Sequence, residues 1–283
     1  MPFDPWTGFP FGSHVGQFGT LWDYLTALLI FAASPIMGGD DGAMRVMLLM
    51  SPIVGTLVAI PTYLIARRFV DRFAAVGAVL VLALLPGTFF SYTLVGFNEH
   101  HAGEIFSQTL AVLAFLVAFA VAEREKPVWE LVVDQDWAAL KKPAAYAAAA
   151  GVALGLYMWT WQPGVMMVGF TGIFLAVKIT SDVYHGKSPE PIAFAGAVSM
   201  TVTGLMQIVP LDEFGFNATD YSFLQIVLPL GVALGAVFLA WLDRQWESRD
   251  LDATAYPAAV IGMIAASAGC SPSCPRRPPG GRQ

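Results

Sequence analysis

Charged side chains are scarce in this sequence. Asp, Glu, Lys and Arg together make up 13% of its 283 residues, about half the roughly 25% of a soluble domain. Hydrophobic residues make up 56% and mean hydropathy is +0.62, which is the composition of a membrane protein. The net charge of -6 is mild, and nothing in it suggests nucleic acid as a partner. Cysteine is nearly absent. Cys270 and Cys274 sit together in the last stretch, so there is no disulfide framework and no repeated CxxC metal pattern, and the redox compartment stays open. A secretory leader is missing too: residues 1–17 lack a basic start followed by an apolar core and hold a single acid, Asp4. A polytopic protein normally enters the membrane soon after its start, so this opening is expected to be the middle of a longer protein.

What the sequence does have is a series of apolar runs. The first, 21–36, is interrupted by Asp23 and is short against the roughly 20 residues a span needs; it reads as an interfacial helix. Spans follow at 43–66, ending in Arg67 and Arg68; at 74–90, broken by Pro86 and Gly87; and at 98–122, where Asn98 can cap the helix. Residues 123–142 read as the longest loop, ending at Lys141, Lys142 and Pro143. Further spans cover 144–157, 165–177, 191–209, 223–242 and 256–268. The expected fold is all-α: a polytopic helical bundle of about eight spans behind an interfacial helix. Residues 1–42 form the outward loop and interfacial helix, 43–268 the transmembrane domain, and 269–283, rich in Pro, Gly and Arg, a disordered or artefactual tail.

The cations fix an orientation. Arg67, Arg68 and Arg72; Arg124, Lys126, Lys141 and Lys142; Lys178 and Lys187; and Arg244 and Arg249 occupy alternate connections. The intervening ones carry Asp40, Asp41, Glu99, Glu104, Asp212, Glu213 and Asp220, with Arg45 as the exception. The basic side is cytoplasmic by this rule, and 98–104 faces outward.

That outward stretch, GFNEHHAGE at 96–104, sets Glu99, His100, His101 and Glu104 between two apolar runs. Carboxylate oxygen and neutral imidazole nitrogen are ordinary ligands of divalent ions. With Asn98 as cap, Glu99, His100 and His101 fall in the first turn, and Glu104 lies one turn after His100 on nearly the same face. Glu99 and His101 are two apart and would diverge by about 200° on an ideal helix. One ion can be shared between them only if the turn is not yet helical there. A helix start also offers free N–H groups and a positive dipole end, which favour phosphate. Metal or phosphate chemistry stands here against a plainer reading, polar residues at an interfacial helix end; the choice turns on whether they face the bundle interior.

A second candidate is the loop WTWQPG at 159–164. Its tryptophans suit an aromatic belt, and in a functional reading Gln162 and the backbone near Gly164 touch a polar headgroup on the Glu99 side. Asn217, Ala218 and Thr219 match the N-x-[ST] pattern, for which chance suffices. His185 lies beside Lys187 in a solvated loop, and His14 sits in the outer opening segment.

FDPWTGFP (3–10), GQFGTLWD (16–23) and above all GFNEHHAGE (96–104) resemble an archaeal oligosaccharyltransferase, the single-subunit catalytic protein, especially that of salt-loving archaea. The resemblance runs over 3–268. It implies the transmembrane part of a GT-C type glycosyltransferase, a multi-pass cell-membrane protein whose site faces the extracellular side. The activity implied is transfer of an oligosaccharide from a dolichyl phosphate or pyrophosphate carrier to Asn in N-x-Ser/Thr acceptors. The partners implied are dolichyl-linked oligosaccharide, the acceptor sequon and membrane lipids. In that family an acid-x-His or acid-x-acid element ligates Mg or Mn, which places Glu99 and His101 as metal ligands and catalytic residues. The usual acid is Asp, so Glu99 departs by one methylene. His100, Glu104, Trp161 and Gln162 are placed as substrate-binding residues. The family's first span with its aspartate, its outer-loop glutamate and its WWDYG domain have no counterpart in these residues, so the chain is expected to be an incomplete, inactive piece. Two other functions remain: a different transferase using a lipid-linked sugar, and a transporter, although transport needs ionisable groups near mid-bilayer and these span interiors hold almost none.

Overall fold

The computed structural model describes residues 3–4, 13–14, 20–38, 40–211, 215–218 and 220–269. Most of the expected tail, and Thr219 of the N-x-[ST] match, lie outside them. A short antiparallel pair, β1 (Phe3–Asp4) and β2 (Ser13–His14), precedes the helices. The helices are α1 (Thr20–Met37), α2 (Asp40–Leu57), α3 (Ala59–Phe69), α4 (Arg72–Leu84), α5 (Thr88–Tyr92), α6 (His100–Ala122), α7 (Val128–Val133), α8 (Trp137–Thr160), α9 (Val165–Tyr184), α10 (Glu190–Met206), α11 (Phe223–Glu247) and α12 (Tyr256–Gly269).

Every expected span coincides with helix, but the bounds shift for physical reasons. The 43–66 run is two helices that break at Val58. Pro61 has no N–H to give the Leu57 carbonyl, and the Val58 N–H reaches both Val54 O and Gly55 O at 3.2 Å. The third run stops at Leu84, before Pro86, and its expected end becomes the separate α5. The polar segment is the largest correction. It contains α7, and α8 begins at Trp137, so Lys141, Lys142 and Pro143 lie inside a helix rather than at the end of a loop. Asp136 sets that start by accepting from the Ala139 N–H at 3.1 Å.

Among the described residues, four stretches are long and apolar enough to cross a membrane, Asp41–Phe69, His100–Ala122, Gln162–Tyr184 and Phe223–Glu247; Leu21–Ala33, Arg72–Leu84, Glu190–Met206 and Ala253–Met263 are shorter apolar helices. At 23 residues α6 is about 34 Å long, enough for a roughly 30 Å hydrocarbon layer. α1 buries Trp22 and Thr26, one turn apart, and leaves Tyr24 and Phe31 exposed. Its inner face packs Trp22 against Met50 and Ala102, so it lies along the edge of the bundle.

The core gathers Ala111 and Phe115 of α6, Leu154 and Met158 of α8, Leu175 of α9, Met200 of α10 and Ala233 of α11. Lipid tails are as apolar as leucine, so helices in a bilayer associate through close packing and hydrogen bonds. α8 and α10 show both. Ser199 Oγ donates to Ala147 O at 2.8 Å, Thr203 Oγ1 to Gly151 O at 3.1 Å and Gln207 Nε2 to Gly155 O at 3.5 Å. These three rungs stand one turn apart on both helices.

At one end of the bundle, Lys178 pairs with Glu123 at 2.8 Å and Asp182 at 2.7 Å, and Arg244 pairs with Glu190 at 3.3 Å while lying over the Trp129 ring. At the same end Asp71 caps α4, accepting from Phe73 N at 2.8 Å and Ala74 N at 2.9 Å. Asp71→Ala is expected to lower stability by about 1 kcal/mol, read as a lower thermal midpoint in detergent.

Candidate functional site

The start of α6, at the other end of the bundle, is shaped by residues distant in sequence. Gly96 takes a left-handed φ of +88° and its N–H donates to Leu48 O at 3.0 Å, turning the chain back across α2. The Asn98 side chain does not cap the helix, contrary to the sequence expectation. Its oxygen accepts from Trp22 Nε1 at 3.2 Å, and Glu99 becomes the N-cap, with no side-chain cap bond. The Glu99 N–H donates to the hydroxyl of buried Ser51 at 3.2 Å, which holds Glu99 at φ -122° and ψ 136°, an extended conformation.

That extended residue meets the condition for a shared ion. Because Glu99 is not yet helical, its carboxylate folds back over the two imidazoles instead of pointing away from them. Oε2 lies 3.1 Å from His100 Nδ1 and 3.9 Å from His101 Nε2. Among the described residues, Glu99, His100 and His101 form a group whose donor atoms all lie within 4.8 Å of one another. Two donors about 2.1 Å from one ion sit roughly 3–3.5 Å apart, so a small side-chain rotation brings Glu99 and His101 to that spacing. Glu99 Oε2 is itself shut off from water, and His100 Nδ1 at 3.1 Å is a partner to it only when that nitrogen carries a proton. A buried carboxylate oxygen left so is costly, and a cation would relieve it.

Glu104 lies one turn after His100, and its carboxylate meets the neighbouring His101. Glu104 Oε2 lies 2.6 Å from His101 Nδ1, three residues before it. The His101 ring stacks on Tyr92, 4.5 Å away by centroids, and meets the His100 ring in a tilted contact at 4.2 Å. Asp23 of α1 completes the acidic surround: desolvation raises its carboxyl above the ordinary carboxylate range, and nearby His100 opposes that rise.

The 159–164 loop lies at the same end. A side chain on Gly103 of α6 would touch Thr160 Cγ2 at 3.4 Å. Trp161 is half-buried, its ring 6.3 Å from that of Tyr157. Gln162 is only 2% exposed and opens a 3-10 turn, Gln162–Gly164. Tyr221 closes the end of α8, its hydroxyl donating toward Met158 O at 3.2 Å and Trp159 O at 2.9 Å. Ser51, Trp22 and Tyr221 escaped sequence reading because each acts across long sequence separations, and Tyr92 because its ring contact with His101 depends on how α5 packs on α6. Only Trp22 carried a signal, as part of GQFGTLWD.

A sequence profile of the family described as oligosaccharyl transferase STT3, N-terminal, matches residues 1–245. The chain is 50% identical over 267 residues to the dolichyl-monophosphooligosaccharide–protein glycotransferase AglB of Haloferax volcanii, covering 93% of this chain and 25% of that protein. It resembles the crystal structure of the Archaeoglobus fulgidus oligosaccharyltransferase tethered to an acceptor peptide with the NVT sequon, at TM-score 0.78 and 26% identity, over 94% of this chain and 31% of that one. The same enzyme in complex with Zn and sulfate matches at TM-score 0.75 and 27% identity, over 94% and 32%. The chain thus spans about a quarter to a third of the length of these relatives.

Proposed function

Since the chain belongs to the oligosaccharyl transferase STT3 family and is a membrane-embedded helical bundle of the GT-C kind, we propose that it forms part of an enzyme transferring an oligosaccharide from a dolichyl phosphate or pyrophosphate carrier to Asn in N-x-Ser/Thr acceptors. The relatives support this by what they are and bind: one is named for dolichyl-monophosphooligosaccharide transfer to protein, and another holds a sequon peptide.

In this reading Glu99 and His101 hold Mg or Mn, and the observation that carries it is the water-excluded Oε2 of Glu99 facing His101 Nε2 at 3.9 Å. A bound divalent ion would supply Lewis-acid neutralisation of charge on the departing phosphate. An imidazole in the donor set favours Mn over Mg, and the solved relative with Zn is consistent with a nitrogen-containing site. The rest falls to the chain's own groups. The free N–H groups opening α6 point toward a phosphate placed beyond Glu99. His100 and Trp161 present open surface to the carrier, while buried Gln162 acts by holding the turn that displays Trp161. The positive-inside rule puts the Arg67, Arg68 and Arg72 connection in the cytoplasm, and so the Glu99 end outside.

Calorimetric titration of Mn2+ into the chain in detergent tests the site directly. One site is expected, weakened at least tenfold, about 1.4 kcal/mol, in both Glu99→Ala and His101→Ala. No uptake by the wild type, or equal affinity in both variants, would sink the reading.

A further inference from the structure

We propose that Glu104 is a positioning residue that fixes the tautomer and plane of His101, so that Nε2, and not Nδ1, is the atom presented beside Glu99; the inference rests on the reading of Glu99 and His101 as a metal half-site. Three observations carry it. The Glu104 carboxylate lies 2.6 Å from His101 Nδ1, a short contact of the kind made by a charge-assisted bond in which the ring N–H donates to carboxylate. A neutral imidazole has one N–H, so placing it on Nδ1 leaves the lone pair on Nε2, which faces Glu99 Oε2 at 3.9 Å. The ring cannot readily turn over, because both Tyr92 and His100 pack against it, at interplanar angles of 27° and 36°.

The position in the fold fits that role. Glu104 sits inside the first two turns of α6, where its side chain is 16% exposed, the least of the four in the cluster. Screening is weak at that depth, and its reach to the open surface is small. Residues three apart on a helix face each other, so the pairing follows from helical geometry once His101 is in α6. The resulting order, carboxylate to Nδ1–H and Nε2 to the ion, is the arrangement that orients imidazole ligands and raises their basicity; removing such a carboxylate typically lowers metal affinity about 10- to 100-fold.

The test separates the tautomer from the ion. In the metal-free chain with 15N-labelled histidine, the His101 side-chain signals, assigned by their loss in His101→Gln, should report the Nδ1–H form. Glu104→Gln keeps an acceptor oxygen and should keep that form. Glu104→Leu keeps the bulk but removes the acceptor, and should move His101 toward the Nε2–H form favoured by free histidine. Titrated with Mn2+, Glu104→Leu should lose about 10- to 100-fold in affinity and Glu104→Gln clearly less. An unchanged tautomer in Glu104→Leu overturns the positioning role whether or not the wild type binds Mn2+. Equal losses in Gln and Leu overturn it also, since the acceptor would then not matter. A wild type with the Nδ1–H form that takes up no Mn2+ overturns the half-site reading, and the positioning role with it.

Discussion

Gly151→Leu should all but dissolve the packing of α8 on α10. A Cβ at this position would lie 2.4 Å from the Ser199 carbonyl oxygen and 2.8 Å from Val202 Cβ. The nearest atom is backbone, so no rotamer change relieves the clash and the helices must separate. Separation lengthens the Ser199 to Ala147 and Thr203 to Gly151 hydrogen bonds, now 2.8 and 3.1 Å. Overpacking strain runs to about 1–3 kcal/mol, and each interhelical bond in a membrane adds roughly 0.6 kcal/mol. A loss of about 3–4 kcal/mol is a large part of the roughly 5–15 kcal/mol that holds a protein folded, and should lower the thermal midpoint in detergent by about 10 °C. Gly231→Leu on α11 is the control, because nothing lies within 4 Å of a Cβ there. A Gly151→Leu midpoint no lower than that of Gly231→Leu would show that the close approach of these helices does not matter.

Gly103→Leu is expected to abolish most ion binding from a position that touches no ligand. Its Cβ would meet the Trp22 ring at 2.4 and 2.8 Å, and Trp22 is 4% exposed with no room to retreat. Driving the indole out breaks its bond to Asn98, 76 residues away, and frees the segment that keeps Glu99 extended. Glu99 can then join the helix, where it would diverge from His101 by about 200°. Mn2+ affinity should fall about a hundredfold, roughly 2.7 kcal/mol, with α-helical circular dichroism retained. Affinity preserved in this variant would mean that Trp22 and Asn98 do not set the Glu99 conformation.

The spans were legible because long apolar runs leave few alternatives, and the candidate site stood out because Glu and His side by side at the end of such a run are rare. Geometry inside the site was not. Whether Glu99 and His101 could share an ion depended on one backbone conformation, set by Ser51 and by the diversion of Asn98 to Trp22; no periodicity in 96–104 encodes either partner. The partner of Glu104 was not legible for a related reason. Spacing allows it His100 at i-4 or His101 at i-3, and the carboxylate lies on His101, whose ring also stacks on Tyr92. The start of α8 was misplaced because Lys141 and Lys142 look like loop residues, whereas a helix end emerging from the bilayer carries them without strain.

The rungs between α8 and α10 repeat at an identical interval on both helices, like the teeth of two matched racks, and such a pair can engage in more than one position. If α10 advanced one turn toward the end of α8, Ser199 would find Gly151 O and Thr203 would find Gly155 O, with Gln207 left to reach for Trp159 O. That last carbonyl already accepts from Tyr221 at 2.9 Å. A tyrosine in the connection after α10 therefore ties that connection to the end of α8 in the engagement observed, next to the turn that carries Trp161.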